Sequence, residues 1–114
     1  MASPLEASVH TEADGARITL SGRIDRDGDA AMTAAYAAAR TTGAGPIVLD
    51  FEATDYINST GIALIVGVLA QARKTGCRLL TTGLSSHYVE IFHITRLADF
   101  MSIYPDEASA LAGV

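Results

Sequence analysis

The chain has 114 residues, of which 49% are hydrophobic and 18% charged, and its 8 Lys and Arg against 13 Asp and Glu leave a formal charge of −5. That composition excludes a disordered chain, and the length leaves room for one core and no second domain. Without a Lys/Arg cluster the acidic balance also lacks the counterion-release energy behind non-specific nucleic-acid affinity, so nucleic acid is not an expected partner.

Leu5, Ala7 and Val9 alternate with Glu6, Ser8 and His10, and Ile18 and Leu20 alternate with Arg17, Thr19 and Ser21. This period of two, with Asp14-Gly15 between the runs, predicts an antiparallel hairpin. An alanine-rich helix is predicted over 29–40, with Met32, Ala35, Tyr36 and Ala39 on one face, and Gly43-Ala44-Gly45-Pro46 ends it. Ile47-Val48-Leu49 is a continuous apolar run, the mark of a central strand buried on both faces. After a polar loop, a second helix spans 59–74 and stops at Gly76. A strand over 77–81, a short helix over 86–92, a strand over 100–103 and a last helix opening at Pro105-Asp106-Glu107 complete the chain. The order ββαβαβαβα predicts one α/β domain over 1–114, a mixed sheet with packed helices.

The lone Cys77 has no intrachain disulfide partner, and the first residues, Met-Ala-Ser-Pro-Leu-Glu, lack the basic and apolar regions of a secretion signal. Both predict a cytoplasmic location. The longest apolar stretch, Gly61 to Ala70, is ten residues, against about twenty needed to cross a bilayer, so no membrane insertion is expected.

The most informative segment runs from Asp50 through Asn58-Ser59-Thr60-Gly61 to Ile62, where a strand ends, a polar loop follows and a helix begins. Asn58, Ser59 or Thr60 could cap that helix by accepting a bond from its exposed backbone N–H groups. A hydroxyl at that place could equally carry a phosphate, which the positive end of the helix dipole favours. At about 100° per residue, Ile62, Ile65, Val66 and Leu69 share the face expected to cover the sheet. Leu64 and Val68 then fall on the opposite side, either under a neighbouring helix or as an apolar docking patch.

Other signals are weaker. Asn58-Ser59-Thr60 fits a glycosylation pattern that has no meaning without secretion. Ser59, a histidine among His10, His87 and His93, and Asp50 or Asp55 could be assigned triad roles, but no spacing supports them and the nucleophile elbow is missing. Asp50, Glu52 and Asp55 lack the ligand spacing of a calcium loop, and Gly43-Ala44-Gly45 is not followed by Gly-Lys-Ser/Thr, so neither metal nor nucleotide cofactor is expected.

The run Ile57-Asn58-Ser59-Thr60-Gly61-Ile62-Ala63-Leu64-Ile65, preceded by Ile47-Val48-Leu49-Asp50-Phe51, resembles the signature of the bacterial anti-sigma-factor antagonists, which are STAS domains. Leu20-Ser21-Gly22-Arg23-Ile24-Asp25, Phe92-His93-Ile94-Thr95-Arg96-Leu97 and Tyr104-Pro105-Asp106-Glu107-Ala108 extend the resemblance over nearly the whole chain. It implies a binding module, not an enzyme, that works by partner switching. The unmodified protein would bind an anti-sigma factor that is also a serine kinase of the histidine-kinase-like ATPase fold. Phosphorylation of the serine in an Asp-Ser-Ser/Thr-Gly motif, by position Ser59, would end that binding, and a metal-dependent serine phosphatase would restore it. Asn58 departs from the pattern, keeping the size and capping ability of the usual Asp but losing its charge. Asp25 matches a position at the family's partner-facing edge. The expected partner face therefore comprises Asp25, Asn58, Ser59, Thr60, Gly61, Leu64 and Val68. The alternative is a STAS subunit that docks permanently on a transporter ATPase or signalling assembly and is not phosphorylated.

Overall fold

A computed structural model describes residues 3–12, 15–41, 43, 45–99 and 101–104. The opening hairpin forms as expected: β1 (Glu6–Glu12) runs antiparallel to β2 (Gly15–Ile24), with Val9 opposite Ile18 and Glu12 opposite Gly15. Asp14 lies outside the described residues. Along β2 every second residue is buried, so Ala16, Ile18, Leu20 and Ile24 all enter the core.

The next strand, β3 (Ile47–Asp50), lies parallel to β2, with β5 (Leu79–Thr82) and β6 (Ser102–Tyr104) added in parallel beyond it. The sheet order is β1-β2-β3-β5-β6, which makes β3 the central strand. Ile47 and Leu49 join the main core while Val48 packs with Leu80 in a separate cluster, so the strand is buried on both faces, as its unbroken apolar run predicts.

Helix α1 (Asp29–Thr41) buries Met32, Ala35, Tyr36 and Ala39, the predicted face, against β1 and β2. Helix α2 (Ser59–Thr75) ends at Gly76, whose N–H bonds to the Arg73 carbonyl while the Cys77 N–H reaches the Ala72 carbonyl. This pair of bonds closes the helix in a Schellman motif. It occupies Cys77, and β5 accordingly starts two residues later than the strand expected over 77–81. Helix α3 (Ser86–Ile94) inserts Phe92, its one fully buried side chain, edge-on to Phe51 with ring centroids 6.0 Å apart.

Three expectations change. The polar loop contains a further strand, β4 (Thr54–Ile57), which pairs in parallel with the end of β2. The order among the described residues is thus ββαββαβαβ, and the helix expected from Pro105 lies outside them. β6 begins two residues after the predicted start, because Leu97–Asp99 forms a 3₁₀ turn before it. Finally, α2 is rotated from the predicted facing: Gly61, Ile65, Val68, Leu69 and Ala72 point inward, while Val66 is 44% exposed. Val68, for which periodicity left a place either under a neighbouring helix or in an exposed patch, takes the first: it is only 6% exposed because that side of α2 packs against α1.

Phe92 is the one fully buried side chain of α3, so Phe92→Ala is expected to lower stability by about 3–5 kcal/mol. In native-state hydrogen exchange of the variant, α3 should lose protection before the β2–β3–β5 strands do. Equal loss throughout the sheet would show that α3 is not a separate unit.

Candidate functional site

The site is built from the end of β2. Through Thr19, β2 pairs with β3; from Gly22 it pairs instead with β4, and the register shifts between Gly22 and Arg23. Gly22 makes this change of partner with φ +93°, donating to the Ala53 carbonyl at 3.0 Å. The Thr54 hydroxyl donates to the Leu20 carbonyl at 2.8 Å and ties β4 down.

At the end of β2 the Ile24 carbonyl accepts from the Asn58 N–H at 3.2 Å. A Cβ on Gly61 would lie 2.0 Å from that same oxygen, so only glycine lets the first turn of α2 rest on the strand end. The Asn58 side chain then caps the helix, its Oδ1 accepting from the Gly61 N–H at 2.8 Å. Of the three candidate caps, Asn58 is the one used. Ser59 and Thr60 are exposed, and the Ser59 hydroxyl makes no hydrogen bond among the described residues.

Asp25, the residue after Ile24, accepts from Arg23 Nε at 2.6 Å and from the Asp27 N–H at 3.1 Å. It thereby caps the 3₁₀ turn Arg26–Gly28 that leads into α1. Asp25, Arg26, Asp27, Asn58 and Thr60 surround a shallow polar depression of about 240 Å³. Five of the seven expected residues therefore gather at one end of the sheet: Asp25, Asn58 and Thr60 line the depression, Ser59 projects beside it and Gly61 is buried beneath. Leu64 lies farther along α2, half-buried and shared with the core. Val68 is the residue the structure sets apart, since it is buried between α2 and α1.

Two residues that sequence reasoning missed also act here. The Tyr88 hydroxyl, from α3, accepts from the Ile57 N–H at 2.9 Å, one residue before the cap. Tyr56, on β4, is 49% exposed and extends the surface with an aromatic ring. Nothing in the local pattern marks Tyr88; Tyr56 is an aromatic inside a polar run, a signal that was available.

No hydrogen bond joins Ser59 to a histidine among the described residues; His87 instead packs on Tyr88. Asp50 accepts from the Glu52 N–H at 2.9 Å as a turn residue, and the described residues hold no cluster of three or more potential metal ligands. No helix among them is long and apolar enough to cross a membrane.

A family model described as Mlab, STAS domain, matches residues 7–104. BtrV of Bordetella bronchiseptica, which carries the anti-sigma factor antagonist name, is 32% identical over 86 residues, 75% of this chain and 72% of that protein. The chain belongs to the STAS-domain anti-sigma factor antagonist family. The anti-sigma-B factor antagonist of Staphylococcus aureus is 33% identical over 64 residues, covering 56% of this chain and 59% of that one. The anti-sigma factor antagonist SpoIIAA superposes in its unphosphorylated form with a TM-score of 0.71 at 14% identity, over 94% of both chains. A SpoIIAA in the phosphorylated form, from Bacillus, gives 0.69 at 20% identity over 93% of this chain and 96% of that one. The fold of this STAS domain is therefore theirs.

Capping and modification are separable here. Asn58→Ala is expected to cost about 1 kcal/mol in urea unfolding, whereas Ser59→Ala should stay within about 0.5 kcal/mol of the parent. Tyr88→Phe, which strands the Ile57 N–H, should cost about 1 kcal/mol. A Ser59→Ala loss as large as that of Asn58→Ala would mean the serine serves the helix after all.

Proposed function

We propose that this STAS domain is a cytoplasmic anti-sigma factor antagonist that works by partner switching and not by turnover. Unphosphorylated, it binds an anti-sigma factor that is a serine kinase of the histidine-kinase-like ATPase fold; phosphorylation of Ser59 releases that partner, and a metal-dependent serine phosphatase resets the switch. The observation that carries the proposal is the division of work at the start of α2. Asn58 supplies the cap, so the Ser59 hydroxyl is exposed and unbonded, and a kinase can reach it without unfolding the helix.

The proposed partner surface consists of Asp25, Asn58, Ser59, Thr60 and Leu64, with buried Gly61 seating the helix beneath it, and is widened by the exposed side chains of Tyr56 and Val66. Val68 supports it from below. A phosphate on Ser59 adds nearly two negative charges between Asn58 and Thr60, which share their depression with Asp25 and Asp27. A partner surface packed there has to desolvate that group as well as meet its charge. A tenfold switch needs a difference of only about 1.4 kcal/mol between bound and free forms, which those two effects can supply.

Asn58 favours a second reading, in which the neutral loop is no kinase substrate and the domain is a permanent docking subunit of a transporter ATPase or signalling assembly. Affinity capture from lysate of the source organism with ATP present, using the parent protein and Ser59→Asp as baits, separates the two. Partner switching predicts an ATPase-fold anti-sigma factor on the parent, at least tenfold less on Ser59→Asp, and phosphate on Ser59 by mass spectrometry. Equal capture of another partner by both baits, with Ser59 unmodified, would establish the docking subunit instead.

A further inference from the structure

Helices α1 and α2 each return from the end of one strand to the start of another parallel to it, so they run in the same direction along the sheet. Between them is a groove of about 520 Å³, a volume typical of small-molecule sites. Met32 contributes to its lining from α1, and Ala63, Leu64, Gly67 and Val68 contribute from α2. Gly67 keeps it open, since a Cβ there would meet nothing within 4 Å.

This apolar groove also holds polar groups that the protein does not satisfy. The Tyr36 hydroxyl and a terminal nitrogen of Arg40 are both buried without a hydrogen-bond partner among the described residues, and both residues line the groove. Tyr36 is 9% exposed. Native proteins seldom leave a buried polar side-chain atom unpaired, and two in one groove point to a ligand that pairs them. Arginine can only donate and stays charged, so the group it lacks is an acceptor, best an anion. Asp29, the lining carboxylate, is eleven residues before Arg40 on α1, about 16 Å along the helix, too far to serve. Its charge sits at the opposite end of the groove and favours an anion at the Arg40 end.

We propose that the groove between α1 and α2 binds a small amphiphile with one anionic head, a carboxylate of the fatty-acid type. Its carboxylate oxygens accept from Arg40 and from the Tyr36 hydroxyl. Its chain lies over Gly67, Val68, Leu64 and Met32, a path of roughly 12 Å that suits a medium-length acyl chain. The site is independent of the role of Ser59.

The test is calorimetric titration of the full chain with sodium decanoate below its micelle-forming concentration, with decanol as the same chain without the charge. The parent should bind decanoate saturably at one site, and decanol about tenfold more weakly or less. Arg40→Met should weaken decanoate by about tenfold while leaving thermal stability unchanged or higher, since it removes an unpaired buried group. Gly67→Leu, which fills the groove with a better helix former, should abolish binding while keeping the fold, checked by circular dichroism. Absence of saturable binding to the parent overturns the proposal, as does binding that neither variant alters. Equal affinity for decanoate and decanol overturns the anionic head.

Discussion

The carbonyl of Ile24 is the contact on which the functional end of the molecule depends. It accepts the Asn58 N–H, and it sits so close to Gly61 that the helix has no room for a side chain there. β2 thereby ends against the start of α2. The next residue, Asp25, immediately caps the turn that starts α1. Two helix beginnings thus meet at Ile24, the last residue of the strand, and Asp25, the residue after it. This is why Asp25 and Thr60, far apart in sequence, line the same depression.

The separation of cap from hydroxyl has a physical consequence. Were a serine both cap and phosphoacceptor, modification would remove a helix-stabilising bond and change fold and charge together. With Asn58 holding the Gly61 N–H, a phosphate on Ser59 would join the positive end of the α2 dipole, which tolerates it. The effect of such a charge then falls on whatever is docked at the surface, through repulsion and desolvation, and not on the domain itself. A rigid platform with a chargeable surface meets that requirement more simply than a segment that refolds.

Elements stabilised by their own side-chain pattern are legible in the sequence. β2 and the inner face of α1 announce their burial through periods of two and 3.6, and the stop of α2 at Gly76 is equally plain. β4 is not, because it is held by pairing with β2 and by the Thr54 to Leu20 bond, while its own Asp55 and Tyr56 face solvent. The facing of α2 misleads for a related reason. Both sides of the helix are apolar, one toward the sheet and one toward α1, so a single hydrophobic stripe cannot say which residue lies outermost. At the site, the residue types Asn58, Ser59 and Thr60 mark a helix start, but only coordinates say which of them caps it. The contribution of Tyr88 comes from another helix, 31 positions from its partner Ile57, and leaves no local trace.

Asn58 also alters the balance of charge in the depression. Its walls hold Asp25 and Asp27 with Arg26 as the one cation, and Arg23 is already committed to Asp25. An aspartate at position 58 would cap the helix equally well and add a third carboxylate to the depression. The amide accepts the same Gly61 bond, removes that charge, and adds two donors. Under the proposed switch, a phosphate on Ser59 would meet less local repulsion than it would beside an aspartate, and a kinase would have to recognise this loop by shape and hydrogen bonding instead of by charge. The same amide makes the surface less acidic, so in the proposed switch the contrast between the two states would rest more fully on the phosphate alone.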